Sequence, residues 1–267
     1  MEPGSQAENE PYVFTTVRWD PALLQSPENT AASCSIPCPF YMLEHHWTRL
    51  QIAKWNSSFL RSSPAELLRD LTHAVQQWHA DHPAEKPDSL RVKHRVYSGD
   101  RTLTEISAIL CIPLTRLFPR RLEHPDMDPD TVVWKVCLDQ QAIVTSAATM
   151  FKTGNRSYYD RARASAGIKT YAEQREVLLF NEDEEVIDAS FSTPYFFREG
   201  RWVTPKANSG GQQGTTRRWA LERKLCVEGD VSIQEIREGE VIYLSNAVRG
   251  YIRARYVADN KLVMASP

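Results

Sequence analysis

The chain has 267 residues, of which 42% are apolar and 25% charged, with a formal net charge of −2. These values suit one large or two small packed domains and exclude a chain that is mainly disordered. They also provide no net basic field to recruit nucleic acid or an anionic membrane, so neither is expected as a partner.

Met1 to Pro11 is acidic and polar, without the basic start and apolar run of a secretory signal, and residues 1–12 read as a flexible lead. No stretch approaches the ~20 apolar residues of a membrane span, and the cytoplasm is the expected location. The cysteines (Cys34, Cys38, Cys111, Cys137 and Cys226) are odd in number and scattered, and read as free thiols. No second pair joins Cys34 and Cys38, so no metal site is expected.

Val13 to Trp19 has the β-branched and aromatic content of a strand, and residues 20–38 read as loop. Phe40 to Leu60 carries apolar residues at helical spacing. Ser63, Pro64 and Glu66 form the start signal of a second helix, whose buried stripe is Leu67, Leu68, Leu71, Val75 and Trp78. Leu90 to Tyr97 alternates as a strand, Ser98 to Asp100 turns, and Thr102 to Ile106 returns. A smaller α/β domain over 13–120 is expected to end at a Pro-, Asp- and Arg-rich linker, 121–130.

A larger domain over 131–267 should follow. Thr131 to Leu138 reads as a strand, Ile143 to Phe151 as an apolar strand-like segment, and Asn155 to Ala166 as a short helix. Glu176 to Phe180 and Val186 to Phe191 read as strands around an acidic turn. Tyr195 to Phe197 and Arg201 to Val203 flank the turn Glu199–Gly200. A Gly-rich loop, Ser209 to Gly214, leads into a helix from Arg217 to Leu225, and Val241 to Leu244 is a further strand.

Four features of this half carry chemistry in combination. Lys152 ends the apolar segment, where desolvation favours the neutral amine that Schiff-base chemistry needs. GGQQGTTRR, residues 210–218, combines glycines, hydroxyl donors and a helix start, a pattern that receives anions. Asp188 ends an apolar strand, where a carboxylate can meet a protonated ring nitrogen. Ser245–Asn246–Ala247 is a small polar turn able to donate to a phosphate. Taken singly, each also reads as ordinary structure: an exposed lysine, a flexible turn, a capping aspartate, a simple turn. Lys135 and Lys169 lack a comparable setting.

In this order the motifs resemble the class IV, branched-chain-type fold of pyridoxal-5′-phosphate (PLP) enzymes, from about Phe14 to Ile252. The resemblance implies a two-domain α/β (α+β) fold with the cofactor in the interdomain cleft, and a homodimer acting on a small-molecule substrate. HWTRL, residues 46–50, is similar to a family helix that places an arginine on the cofactor phosphate, here Arg49. The lysine falls on Lys152 in KTGNR, and the ring-nitrogen carboxylate on Asp188. The phosphate turn falls on Gly214, Thr215 and Thr216, followed by Arg217, and a second phosphate turn on Asn246 and Ala247. Two positions depart from the family pattern: Asp188 replaces the usual glutamate, and Thr193 stands where an asparagine is usual.

The wording of KTGNRSYYD, TPYFFREGRWVTP and GTTRRWALE is most similar to fungal aminodeoxychorismate-lyase-like proteins. The resemblance thus implies a lyase that forms 4-aminobenzoate and pyruvate in folate precursor synthesis. A class IV aminotransferase acting on a branched-chain, D-amino acid or other amine is the alternative, and a non-catalytic relative is a further one. A substrate with two carboxylates calls for an arginine, and Arg18, Arg95, Arg120, Arg156 and Arg249 are the candidates, with Arg156 and Arg249 taken forward.

Overall fold

A computed structural model describes residues 10–53, 63–127, 132 and 134–258. Most of the expected lead lies outside the described residues, as do the end of the expected helix Phe40 to Leu60 and parts of 128–133. The chain divides into two compact units, one of Met1–Leu114 with Phe151–Asn155, the other of Thr115–Met150 with Arg156–Pro267.

The first unit is built on an antiparallel sheet of β1 (Tyr12–Trp19), β2 (Leu90–Tyr97) and β3 (Thr102–Ala108), in that order. Register runs from Tyr12 opposite Tyr97 to Trp19 opposite Leu90. Two-residue alternation therefore turns Val13, Val17, Val92 and Val96 to one face, where all four are buried. The segment read as loop contains a short helix, α1 (Pro27–Ala31), capped by Ser26 with Pro27 in its first turn. Helix α2 (Leu43–Ile52) brings Leu50, followed by Ala53, into a cluster with Val13 and Val96. Helix α3 (Pro64–Asp81) opens as its sequence dictates. Ser63 Oγ accepts from the Glu66 N–H at 3.2 Å, and the Glu66 carboxylate accepts from the Ser63 N–H at 2.6 Å.

The second unit carries eight strands: β4 (Trp134–Leu138), β5 (Arg175–Phe180), β6 (Val186–Ala189), β7 (Thr193–Arg198), β8 (Arg201–Pro205), β9 (Val227–Gly229), β10 (Val241–Asn246) and β11 (Gly250–Tyr256). Their order is β6-β5-β4-β11-β10-β7-β8-β9. Strand β4 pairs in parallel with β5 and β11, and β8 with β9, while the other pairs are antiparallel. Alternation again sorts the core. Val136, Leu178 and Val186 join Phe196, Ile242, Leu244 and Ala254 in one cluster, whereas Cys137, Val177, Leu179 and Ile187 join Tyr159 and Ala162 in another. Helix α4 (Leu114–Leu117) straddles the division, α5 (Ala147–Met150) is one turn, and α6 (Ser157–Ser165) supplies Tyr159 and Ala162. Helix α7 (Thr215–Glu222) begins two residues before the expected Arg217.

The division falls at residue 115, ahead of the segment read as linker. Within that segment Leu122 is buried and its carbonyl accepts from Trp202 Nε1 at 3.1 Å. The Glu123 N–H donates to the Tyr243 hydroxyl at 3.2 Å, and the His124 ring meets Phe197 edge-on at 4.6 Å. These partners lie on distant strands, so the Pro-rich composition hides the packing. Among the described residues no helix is long and apolar enough to cross a membrane, no group of three or more His, Cys, Asp or Glu could hold a metal, and the five cysteines are free.

Candidate active site

Lys152 does not end a strand. Ile143 makes only an isolated bridge with Asn181, and Ser146 starts the turn of α5, its Oγ accepting from the Ala148 N–H at 3.2 Å with two alanines following, so no strand leads to the lysine. The next residues then dock onto the edge of β1. The Phe14 N–H donates to the Lys152 carbonyl at 2.9 Å, and the Gly154 N–H donates to the Tyr12 carbonyl at 2.8 Å. A Cβ on Gly154 would lie 2.6 Å from the Tyr12 ring, which would have to move to admit it. The half-buried Lys152 side chain sets its amine 5.2 Å from the centre of the Phe14 ring. Lys93, paired with Glu105 at 3.3 Å, places a second amine 5.3 Å from the same ring.

Beneath this segment, β1 and α2 share a buried polar pair. Thr15 Oγ1 and His46 Nδ1 lie 2.5 Å apart, and His46 is fully buried. Burial holds the imidazole pKa well below its usual value, and the charges of Arg49, His45 and Lys152 push the same way, against the Tyr41 carbonyl. His46 is therefore neutral and adds no third cation to Arg49 and Lys152. Arg49 lies three residues on along α2 and is half-buried.

In the second unit, Asp188 is aimed by a bulge. The β5–β6 register shifts between Leu179 and Phe180, so Leu179 faces Asp188 while Phe180 faces Val186. Ile187 is the extra residue, and Asp188 beside it thus shares the face of Leu179, which packs against α6. There it meets Tyr159, whose hydroxyl lies 3.3 Å from Asp188 Oδ2 and 3.2 Å from the Thr149 carbonyl. The Gln212 side-chain amide donates to the same hydroxyl at 3.2 Å. Asp188 and Tyr159 are both buried. Burial foremost, then the Asp188 charge, raises the Tyr159 pKa, so the phenol keeps its proton.

The Gly-rich loop presses against that bulge. A Cβ on Gly211 would lie 1.9 Å from the Ile187 carbonyl oxygen, and Gly210 has φ +99. At Gly214 a Cβ would lie 2.7 Å from Thr193 Oγ1. Gly214 is the N-cap of α7 and offers no side-chain cap, so the first N–H groups of the helix point outward unpaired within it. Thr215 Oγ1 is buried without a hydrogen-bond partner. Thr216 Oγ1 and the Tyr195 hydroxyl each lie 2.7 Å from Ser245 Oγ, fixing this turn against β10. A buried orphan hydroxyl at an uncapped helix start, with little room for a Cβ at Gly214, can receive an anion such as a phosphate.

Several sequence-derived residues hold the cradle rather than line it. Arg217 donates to Gln213 Oε1 at 2.6 Å and to the Pro205 carbonyl at 2.7 Å, and pairs with Glu228. Asn246 shapes its own turn: its Oδ1 accepts from the Val248 and Arg249 N–H groups at 3.0 and 2.9 Å, and its Nδ2 donates to Ser192 Oγ at 3.1 Å. Ala247 is buried behind it. Of the arginine candidates, Arg18 is buried against Asp20 and Ser89, Arg95 pairs with Glu105, and Arg120 is exposed. The Arg249 guanidinium stacks 5.2 Å from the Trp134 ring. Arg156 lies 3.4 Å from the centre of the Tyr159 ring and donates to the Ser190 carbonyl at 3.3 Å, with its Nη1 buried and unpartnered. Tyr159 and Gln212 carry no separate signal in the sequence, because Tyr159 reaches Asp188, and Gln212 reaches Tyr159, only through the fold.

A mixed curled sheet, an amine on a docked segment and an anion cradle at a glycine–threonine turn define an enzyme of the class IV type. The chain belongs to the Amino-transferase class IV family, whose profile matches residues 13–257. It is 28% identical over 138 residues to the aminodeoxychorismate lyase of Saccharomyces cerevisiae, covering 46% of this chain. Such matches span 37% and 52% of the lengths of two curated relatives, so the chain aligns with about a third to a half of each. The structure resembles 4-amino-4-deoxychorismate lyase from Pseudomonas aeruginosa (TM-score 0.60, 17% identity, 92% of this chain and 83% of that one). It also resembles a T.th. branched-chain amino acid aminotransferase with pyridoxamine 5′-phosphate (TM-score 0.59, 14% identity, 92% and 76%). At these identities the likeness is one of fold.

Proposed function

We propose that the chain is a PLP-dependent lyase that splits 4-amino-4-deoxychorismate into 4-aminobenzoate and pyruvate. The match to the yeast aminodeoxychorismate lyase is the observation that favours this reaction over transamination. A cytoplasmic homodimer serving folate precursor synthesis belongs to the same reading.

In this reading Thr215, Thr216 and the first N–H groups of α7 would hold the cofactor phosphate, and Arg49 is the further cation that the family resemblance implies. Asp188 would hold the proton on the ring nitrogen. When bound, PLP supplies an aldehyde that condenses with amines and a ring that accepts an electron pair. Lys152 Nζ moves the protons: it takes the one on the amine-bearing carbon of the substrate and returns one to the departing enolpyruvyl group, which leaves as pyruvate. Neutral His46 adds no positive charge of its own as that amine accepts a proton. The nearby Phe14 ring shields one side of it from water.

The test is product analysis with purified protein, PLP and 4-amino-4-deoxychorismate. Pyruvate and 4-aminobenzoate released in equal amounts without any keto acid support the lyase. A strict requirement for a keto-acid acceptor makes the chain an aminotransferase instead.

A further inference from the structure

Asp188 is one methylene shorter than the glutamate usual at its position, a deficit of about 1.5 Å in reach. A short carboxylate on a bulged strand needs something to fix its direction. The second unit supplies it in a side chain the reaction does not use. Tyr159 is 1% exposed, and its hydroxyl stands between three groups: Gln212 Nε2 at 3.2 Å, Thr149 O at 3.2 Å and Asp188 Oδ2 at 3.3 Å. Gln212 meets the phenol through Nε2, which can only donate, so it occupies a lone pair of the phenol oxygen and leaves the O–H for the two acceptors. Of these the carboxylate, being charged, is the stronger partner. The Arg156 guanidinium, 3.4 Å from the ring centre, locks the plane of the ring, and its bond to the Ser190 carbonyl pins the turn that follows Asp188.

We infer that Tyr159 is the positioning residue for Asp188, and that Gln212 registers this carboxylate to the phosphate loop from which it projects. The inference rests on the PLP reading above. Its consequence is that ring nitrogen and phosphate are gripped as a unit: loosening the phenol, whose hydroxyl meets Asp188, Gln212 and Thr149, should weaken the hold on the ring nitrogen through the carboxylate.

The experiment uses the full chain and PLP labelled with 15N in the ring. PLP affinity and the ring-nitrogen chemical shift are measured for wild type, Tyr159→Phe, Asp188→Asn and the double variant. Tyr159→Phe keeps the packed ring and removes only the hydroxyl. We expect it to weaken PLP binding about tenfold, the size of one hydrogen bond to a charged group. It should also move the 15N signal toward that of Asp188→Asn. The double variant should then be no weaker than Asp188→Asn alone, since the hydroxyl acts only through that carboxylate. An unmoved 15N signal in Tyr159→Phe, whatever happens to affinity, overturns the inference, and so do losses that add in full. Wild type that takes up no PLP overturns the PLP reading itself and the inference with it, a result distinct from a wild type that binds PLP and a variant indistinguishable from it.

Discussion

At the scale of single residues, the site is decided by steric and electrostatic facts that admit few substitutes. Gly211 is one: a Cβ there would clash with the Ile187 carbonyl oxygen, 1.9 Å away. Gly211→Ala must push the loop off the bulge, and we expect a loss of about 3 kcal/mol in urea unfolding together with weaker PLP binding. His46 is another. Its folded pKa lies well below 6.5, whereas the unfolded imidazole titrates near 6.5. Below pH 6.5 the unfolded chain binds a proton that the folded chain does not, so stability is complete above that pH and falls beneath it. The slope contributed is at most about 1.4 kcal/mol per pH unit. His46→Gln should flatten the decline between pH 7 and 5. A smaller slope should remain from His94, which is also buried with a lowered pKa. An identical slope in the variant would show that His46 is charged in the folded protein.

At the scale of elements, local signals that satisfy themselves within a few residues were legible. The capping box of α3 lies in four consecutive residues, and both of its hydrogen bonds form. Ser63→Ala should cost about 1 kcal/mol, measured as a shift in the urea midpoint at unchanged slope. The same Ser–Pro signal opens α1, yet Ser26–Pro27 sits in a polar stretch that reads as loop. Strand β11 is masked in the sequence because Arg253 and Arg255 interrupt it, although Ile252, Ala254 and Tyr256 alternate with them and are buried. Glu176 is a fully buried carboxylate in β5, bonded to Ser190 Oγ and to the Phe191 and Val177 N–H groups. Nothing in its own strand announces that role, because most of its partners come from a turn some 14 residues on.

At the scale of the whole molecule, the order of motifs pointed to the fold, and the family match covers residues 13–257. Lys152 and the glycine–threonine turn were visible because each is a dense local pattern. The buried side-chain bonds of the two units were not, since Thr15–His46 and Asp188–Tyr159 join residues about 30 positions apart. Nor did composition reveal the division of the chain, in which Phe151–Asn155 groups with residues 1–114 although the chain around it belongs to the second unit. That small exchange carries the amine on which the functional reading depends. The most direct measurement is therefore borohydride reduction of the protein with PLP, followed by peptide mapping. The account predicts a stable pyridoxyl adduct on the peptide containing Lys152, lost in Lys152→Ala. An adduct on Lys93, Lys135 or Lys169 instead, or no adduct at all, would contradict it.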